Sequence, residues 1–361
     1  MIIEGLGLDY DLSDEYNHIK WAILHHAGRD YAASRGEYLN GIILAKYLGF
    51  DFIDAADVIY FKDDGTLDAE KTNQTLGDVL STHENAVIPG FYGVMPNGTI
   101  KTFSRGGSDI TGSILAAAVC ADVYENFTDV DSVYPCDPRI VEEVKDGEGI
   151  PTMTYREMRE LSYAGFGVFN DDAVIPAVKA RIPINIRNTN QPSAPGTMIQ
   201  QSRRVIPGTV VGIASADGFC NIVIEKYLMN RQIGFGRRIL QVLENEGISY
   251  EHMPSGVDSQ CIVVKEQYLP KEKEHKIIQA LRKELEPDFI TVERDLTMLM
   301  VVGEGMCYTP GMLAKACLAL ASAGISMSMV NQGSSEVSFM IAIRKQDRDA
   351  AVKSLYKAFF G

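Results

Sequence analysis

The sequence has no Cys-x-x-Cys pair, no run of about 18 apolar residues and no low-complexity tract. The first absence removes the usual spacing of a structural zinc site. The six cysteines, Cys120, Cys136, Cys220, Cys261, Cys307 and Cys317, stand in apolar or strand-like contexts and read as reduced, buried thiols. The second absence removes a membrane-spanning helix, and Met1-Ile2-Ile3-Glu4 lacks the basic start of a secretory signal, so a soluble cytoplasmic chain is expected. Positive charge is also scarce. Against 48 Asp and Glu there are 34 Lys and Arg, a formal net charge of -14 that argues against nucleic acid or an anionic membrane as main partner. No metal site is expected either, because the adjacent pair His25-His26 points about 100° apart on a helix and cannot share one ion easily.

What is present is 361 residues of ordinary globular composition, 46% hydrophobic and 23% charged, enough for two or three domains. The chain is organised around Phe103-Ser104-Arg105-Gly106-Gly107-Ser108-Asp109, which follows a strand-like run and opens the apolar segment Ile110 to Cys120. Two glycines let backbone approach a ligand, Ser108 and Asp109 are N-cap residue types, and the helix they start turns free N–H groups toward the loop. Arg105 adds a planar fork suited to a carboxylate or phosphate. Taken alone, the stretch is equally a tight strand-to-helix turn. After an apolar helix and a short link comes Thr128-Asp129-Val130-Asp131-Ser132-Val133-Tyr134-Pro135-Cys136-Asp137-Pro138-Arg139, again just past a strand-like run.

Strands alternating with helices up to about Ile199 predict an α/β domain with a mostly parallel sheet sandwiched by helices. Ligands of such folds sit at strand C-terminal ends, where both loops fall. Short strands are predicted over Phe52 to Asp57 and Val58 to Phe61, and a helix over Gly41 to Leu48. Beyond Gln200 to Arg204 the pattern changes. Strand-like stretches at Val210 to Ala214 and Asn221 to Lys226, a helix over Phe235 to Glu246 and a strand near Cys261 to Lys265 form one unit. The plan recurs with a strand at Met298 to Val302, a helix over Gly311 to Ala323 and a strand at Val337 to Arg344, giving two small α+β, ferredoxin-like modules.

The two loops, in this order, resemble the aspartate kinase branch of the amino-acid kinase family, with its Arg-Gly-Gly-Ser-Asp and Thr-Asp-Val-Asp-x-Val-Tyr-x-x-Asp-Pro-Arg segments. The repeats resemble the tandem ACT modules that end many aspartate kinases. The resemblance implies a catalytic domain over 1–203 and regulatory modules over 204–361, divided at about 283/284 or interleaved. It implies phosphoryl transfer from ATP, with Mg²⁺, to the side-chain carboxylate of L-aspartate. Arg105 would clamp the α-carboxylate, and Glu37, in Ser34-Arg35-Gly36-Glu37 at a helix start, would meet the amino group. Phe91, in Pro89-Gly90-Phe91, would wall the substrate pocket. Gly106, Gly107 and Ser108 would complete the substrate loop, and Asp109 would help position a phosphate-binding lysine. Thr128, Asp129, Tyr134, Asp137 and Arg139 would line the nucleotide pocket. Met229, Gly234, Phe235, Ser255 and Asp258 would hold a feedback amino acid, lysine or threonine, in a homodimer formed through the ACT modules.

Two departures from the family pattern bear on activity. Many relatives read Phe-Gly-Ala-Lys-Val-Leu-His-Pro where this chain has Ala164 to Asp171, which puts Gly167 at a nucleotide-contacting lysine and Asn170 at the histidine. The family's Lys-Phe-Gly-Gly segment has no match before Glu37, so the chain is expected to be truncated at its N-terminus relative to those proteins. A non-catalytic subunit that senses an amino acid is the alternative reading.

Overall fold

The computed structural model describes residues 2–103, 106–145, 149–165 and 171–361. They form two compact units: one holds 2–133, 149–162 and 171–203, the other 134–145, 163–165 and 204–361.

In the first unit a single helix, Arg29–Leu48, replaces the shorter one expected from Gly41. No proline interrupts it, and Gly49 at φ 70° closes it in the left-handed conformation. Gly36 and Gly41 are tolerated inside it. At Gly41 a Cβ would sit 3.1 Å from the Phe52 ring and 3.3 Å from Pro89, so the missing side chain lets this helix close onto the neighbouring strands. The expected strand Phe52 to Asp57 shrinks to Asp51–Phe52, parallel to Ala86–Val87, because Asp54 caps a short helix, Ala55–Val58, by accepting from Ala56 N–H at 3.0 Å. Val58 to Phe61 likewise forms no extended strand. Tyr60 and Phe61 make only isolated bridges.

Asn97-Gly98, with Gly98 at φ 80°, turns the antiparallel pair Tyr92–Val94 and Ile100–Thr102. The four-stranded sheet runs in the order Tyr124–Thr128, Ile184–Asn188, Thr197–Gln200, Thr152–Thr154. Its outer pairs are parallel and the central pair antiparallel. The helix Gly107–Ala118 packs Ile114 with Leu76, Ile59 and Tyr92, all buried.

The second unit is a five-stranded antiparallel sheet, in the order Ser259–Lys265, Gly212–Glu225, Phe289–Val302, Ser338–Arg344, Met329–Gln332. The two strand-like stretches expected at Val210 to Ala214 and Asn221 to Lys226 are one strand, Gly212–Glu225, carried past Gly218 at φ 87° by a register shift. Its first half pairs with Thr297 to Val302 and its second half with Phe289 to Glu293 and with Ser259–Lys265. Met298 to Val302 is therefore the end of the longer strand Phe289–Val302. The helices Phe235–Asn245 and Lys271–Leu285 bury Ile239, Leu243, Ile277 and Leu281 over one end of this sheet. Met312–Ser322 and Arg348–Phe360 bury Leu320 and Leu355 over the other.

The stretch after Val133 belongs to this second unit. Cys136, Ile140, Val141 and Val144 share a core with Val301, Ile341 and Leu355, and Ile213 N–H donates to Pro135 C=O at 2.7 Å. Burial, with Asp137 and Glu143 nearby, pushes the Cys136 thiol up to about 12, so it is a packing group and not a nucleophile. All six cysteines are free.

Candidate active site

Arg105 and Ser104 lie outside the described residues, as do Gly167 and Asn170. The rest of the first loop is placed. The helix begins two residues earlier than a Ser108 cap would start it: Gly106, at φ 74°, is the N-cap and Gly107 the first helical residue. Ser108 and Asp109 therefore stand in the first turn, where a carboxylate complements the helix dipole, and neither caps the helix.

Both glycine positions are tight. A Cβ on Gly107 would lie 2.7 Å from Phe91 Cδ2 and 3.1 Å from Phe103 Cβ. A Cβ on Gly90 would lie 3.1 Å from Ser108 Cα. Pro89-Gly90-Phe91 and Gly107-Ser108 thus lie directly against each other. Thr111 ties them: its Oγ1 accepts from Phe91 N–H at 3.1 Å and donates to Gly107 C=O at 3.0 Å. Phe91 itself has φ 84°, a conformation an aromatic residue holds only under strain, and such strain collects at functional sites. The Phe91 ring lines a cavity of about 1400 Å³ with Phe103, Ile110, Ala33, Arg29 and Lys101.

Glu37 is in the interior of the helix Arg29–Leu48, which corrects the expectation of a helix start, and it is exposed. It follows Ala33, which lines the Phe91 cavity, by one turn, but does not itself line it.

Asp109 is fixed from the sheet. Asn126 Nδ2 donates to Asp109 Oδ1 at 2.9 Å and to Tyr124 Oη at 3.0 Å, while Tyr124 Oη donates to Asp109 C=O at 3.3 Å. Burial, reinforced by the Asp109 charge and opposed by the Asn126 hydrogen bond, pushes the Tyr124 phenol up to about 12, so it stays a donor at neutral pH. Gly112 makes room, since a Cβ there would lie 2.6 Å from Tyr124 Oη. Neither Tyr124 nor Asn126 was among the expected site residues. Their signal was the period-2 spacing Tyr124, Asn126, Thr128 on one strand face.

That face ends at the second loop. Thr128 Oγ1 donates to Asp129 Oδ1 at 3.2 Å, Thr128 C=O accepts from Thr189 N–H at 2.8 Å, and Asn188 Nδ2 donates to Asp131 Oδ1 at 2.5 Å. Asp109, Asn126, Thr128 and Asp129 therefore form a continuous polar edge at the C-terminal ends of two parallel strands. Tyr134, Asp137 and Arg139 fall in the other unit. There Asp137 Oδ1 accepts from Arg139 N–H at 2.9 Å, and the Arg139 fork reaches Asp137 at 3.0 and 2.7 Å: a capped turn with its own ion pair.

The Arg139 hydrogen bond holds the Asp137 carboxyl below the usual carboxylate range. Its folded value lies under its unfolded one, so the pair stabilises fully above the ordinary carboxylate range and is lost as pH falls through the folded value. Arg139→Ala is expected to move the acid-unfolding midpoint slightly upward in a circular-dichroism titration. An unchanged midpoint would show that this exposed pair adds nothing.

At the expected effector loop, Met229 and Phe235 bury their side chains in the module core, Gly234 at φ 76° caps the helix Phe235–Asn245, and Ser255 is exposed. Asp258 Oδ1 is buried and has no hydrogen-bond partner. Among the described residues no helix is long and apolar enough to cross a membrane, and no group of three or more potential metal ligands occurs.

Comparison with known proteins gives the family and the fold. The model of the amino acid kinase family matches residues 2–188 and that of an ACT domain matches 299–359. The chain is 44% identical to aspartokinase 3 of Bacillus subtilis (strain 168) over 339 residues, 92% of this chain and 74% of that one. A crystal structure of Clostridium acetobutylicum aspartate kinase superimposes with a TM-score of 0.93 at 46% identity, covering 99% of this chain and 82% of that one. The fold is shared with Escherichia coli aspartokinase III, solved with aspartate and ADP (TM-score 0.75, 20% identity, 92% of this chain and 76% of that one) and with lysine and aspartate (0.74, 19%, 97% and 82%). The family match over residues 2–188 and the 44% identity to aspartokinase 3 together show that the chain belongs to the amino acid kinase family as an aspartokinase.

Proposed function

We propose that the chain transfers the γ-phosphoryl group of ATP to the side-chain carboxylate of L-aspartate at the edge formed by Asp109 and Asp129. The observation that supports this reading is the Asn126 bridge, which ties Asp109 to the strand that ends at Thr128. A carboxylate oxygen of aspartate forms the new O–P bond as the bond from the γ-phosphorus to the bridging oxygen breaks, giving 4-phospho-L-aspartate and ADP. The attacking group is already ionised at neutral pH, so no general base is required. The protein's work is positioning and charge neutralisation. Arg105 clamps the α-carboxylate, Glu37 meets the ammonium, and Phe91 walls the pocket. Gly106, Gly107 and Ser108 present N–H groups at a helix N-terminus. Thr128 and Asp129 serve the nucleotide. Asp129 would be the carboxylate that holds a Mg²⁺ carried on the ATP phosphates, where the ion would neutralise the charge of the transferring group.

The C-terminal modules are assigned to feedback by lysine or threonine. A buried carboxylate oxygen without a partner costs free energy unless a ligand cation meets it, which makes Asp258 the ammonium contact. Tyr227, Ile233 and Val257 are exposed on neighbouring loops of the same module, an apolar surface suited to a second copy of the chain. The cytoplasm, where ATP and reduced thiols coexist, is the compartment this reading assigns.

A coupled ADP-release assay tests the reaction. Release is expected to depend on aspartate, and Arg105→Ala to raise the aspartate KM about 30-fold or more, since removing one partner of a close charge pair costs about 2 kcal/mol or above. Amino-acid binding by calorimetry without any aspartate-dependent turnover would replace this reading with that of a non-catalytic sensor.

A further inference from the structure

The helix Arg29–Leu48 carries a second polar constellation on the side away from Glu37. Arg35 is only 8% exposed. Its guanidinium lies over the rings of Tyr31, Tyr38 and Tyr92, at 4.5, 4.6 and 5.1 Å from their centres. Its only hydrogen bonds run from Nε and Nη2 to the Ser34 hydroxyl, at 3.2 and 3.0 Å, and no carboxylate forms an ion pair with it among the described residues. Nη1 makes no hydrogen bond within the protein and is not sealed from solvent, so it is free to meet a ligand acceptor in the cavity it lines. One turn earlier the Tyr31 hydroxyl is buried and has no partner. Both groups line the same cavity of about 620 Å³.

The rest of that cavity has the opposite character. Asp54 stands beside Arg35, its Oδ1 already accepting from Tyr92 Oη at 2.6 Å and from Ala56 N–H at 3.0 Å. Asp14 and Glu15, from the helix Ser13–Leu24, edge the opening. The cavity therefore offers a guanidinium nitrogen and a phenol donor together with three carboxylates. A plain anion meets the donors but faces three acids, and a plain cation faces the guanidinium. A zwitterion satisfies both sets of groups.

We propose that this cavity binds a free α-amino acid with a neutral or basic side chain, its carboxylate on Arg35 Nη1 and Tyr31 Oη and its ammonium toward Asp54, Glu15 and Asp14. An acidic side chain is disfavoured because it adds a second negative charge against those carboxylates. The site lies on another face of the helix from Glu37: Arg35 and Glu37 are two positions apart and point about 160° apart. It is also separate from the ACT loops, and it does not depend on the kinase reading.

Calorimetry with L-threonine and L-lysine, and with L-aspartate and inorganic phosphate as counter-probes, tests the proposal on the full chain. Hydrogen exchange serves to place the binding. In Asp258→Asn, which removes the effector contact, L-threonine or L-lysine is still expected to bind and to slow exchange within Arg29–Leu48. Tyr31→Phe is expected to weaken that event about tenfold, the loss of one hydrogen bond to a charged group. Because the hydroxyl has no partner in the free protein, Tyr31→Phe is also expected to leave the unfolding midpoint unchanged or higher, which an ordinary core hydroxyl would not do. Arg35→Lys keeps the charge but loses the fork, and binding is expected to fall with it. The proposal is overturned if neither amino acid protects that helix, if phosphate or aspartate binds as well as they do, or if Tyr31→Phe leaves both isotherms unchanged.

Discussion

Replacing Arg203 by methionine is expected to lower the stability of the first unit by about 3–5 kcal/mol. Glu157 is completely buried at the start of the helix Tyr155–Tyr163, and it is held from two sides. Thr154 and Glu157 form a capping box, with Thr154 N–H donating to Glu157 Oε2 at 2.9 Å and Glu157 N–H to Thr154 Oγ1 at 3.2 Å. Arg203 closes the arrangement with a bidentate fork, Nε to Oε2 at 2.9 Å and Nη2 to Oε1 at 2.6 Å. Arg203→Met removes a bidentate cation from a carboxylate held in the interior. Urea unfolding followed by circular dichroism should show the loss. Adding Glu157→Gln should restore part of it, because a neutral amide is cheaper to bury than a carboxylate. A loss below about 1 kcal/mol would mean that water reaches this carboxylate in solution.

The second large effect is expected at Gly107. Alanine there must push back the Phe91 ring or the Phe91 backbone, since its Cβ would meet Cδ2 at 2.7 Å and Cα at 3.1 Å. Overpacking of this kind costs about 1–3 kcal/mol, and it falls on a residue already held at φ 84°. A displacement near 1 Å in a positioning loop is enough to slow a reaction about 10²-fold. Gly107→Ala is therefore expected to lose aspartate-dependent ADP release by about that factor while the chain remains folded. Gly98→Ala is the control. Its φ is 80° but nothing lies within 4 Å of its Cβ, so it should lose a little stability and no activity. Equal activity losses in the two variants would sink the argument from close contact.

The site was legible in the sequence where glycine spacing and loop chemistry act locally. Gly106-Gly107 and Pro89-Gly90-Phe91 were singled out, and the structure lays them together through contacts that only glycine permits. Side chains whose role arises from pairing across elements were not legible. Asn126 reads as one polar residue in a short strand until the register with Ile184–Asn188 and the packing of Gly107–Ala118 bring it to Asp109. Helix starts were misplaced for a similar reason. Ser108 and Asp109 have capping side chains, yet Gly106 reaches the left-handed conformation without strain and takes the cap. At Ala55–Val58 the apolar run suggested a strand, and a single capping carboxylate at Asp54 turned it into a helical turn. Gly41 seemed to open a helix because glycine commonly marks an end. Here it marks a close approach in the middle of one.

The strands Gly212–Glu225 and Phe289–Val302 each serve both C-terminal modules. A strand shared in this way ties the two modules in inheritance as well as in packing. Sliding either strand by one position would turn every inward side chain of both modules outward at once, so insertions and deletions are confined to the loops. Grafting one module onto another protein would carry away half of its neighbour's sheet. Recombination among relatives can therefore exchange the pair as a block, and new ligand preferences must arise by substitution within it.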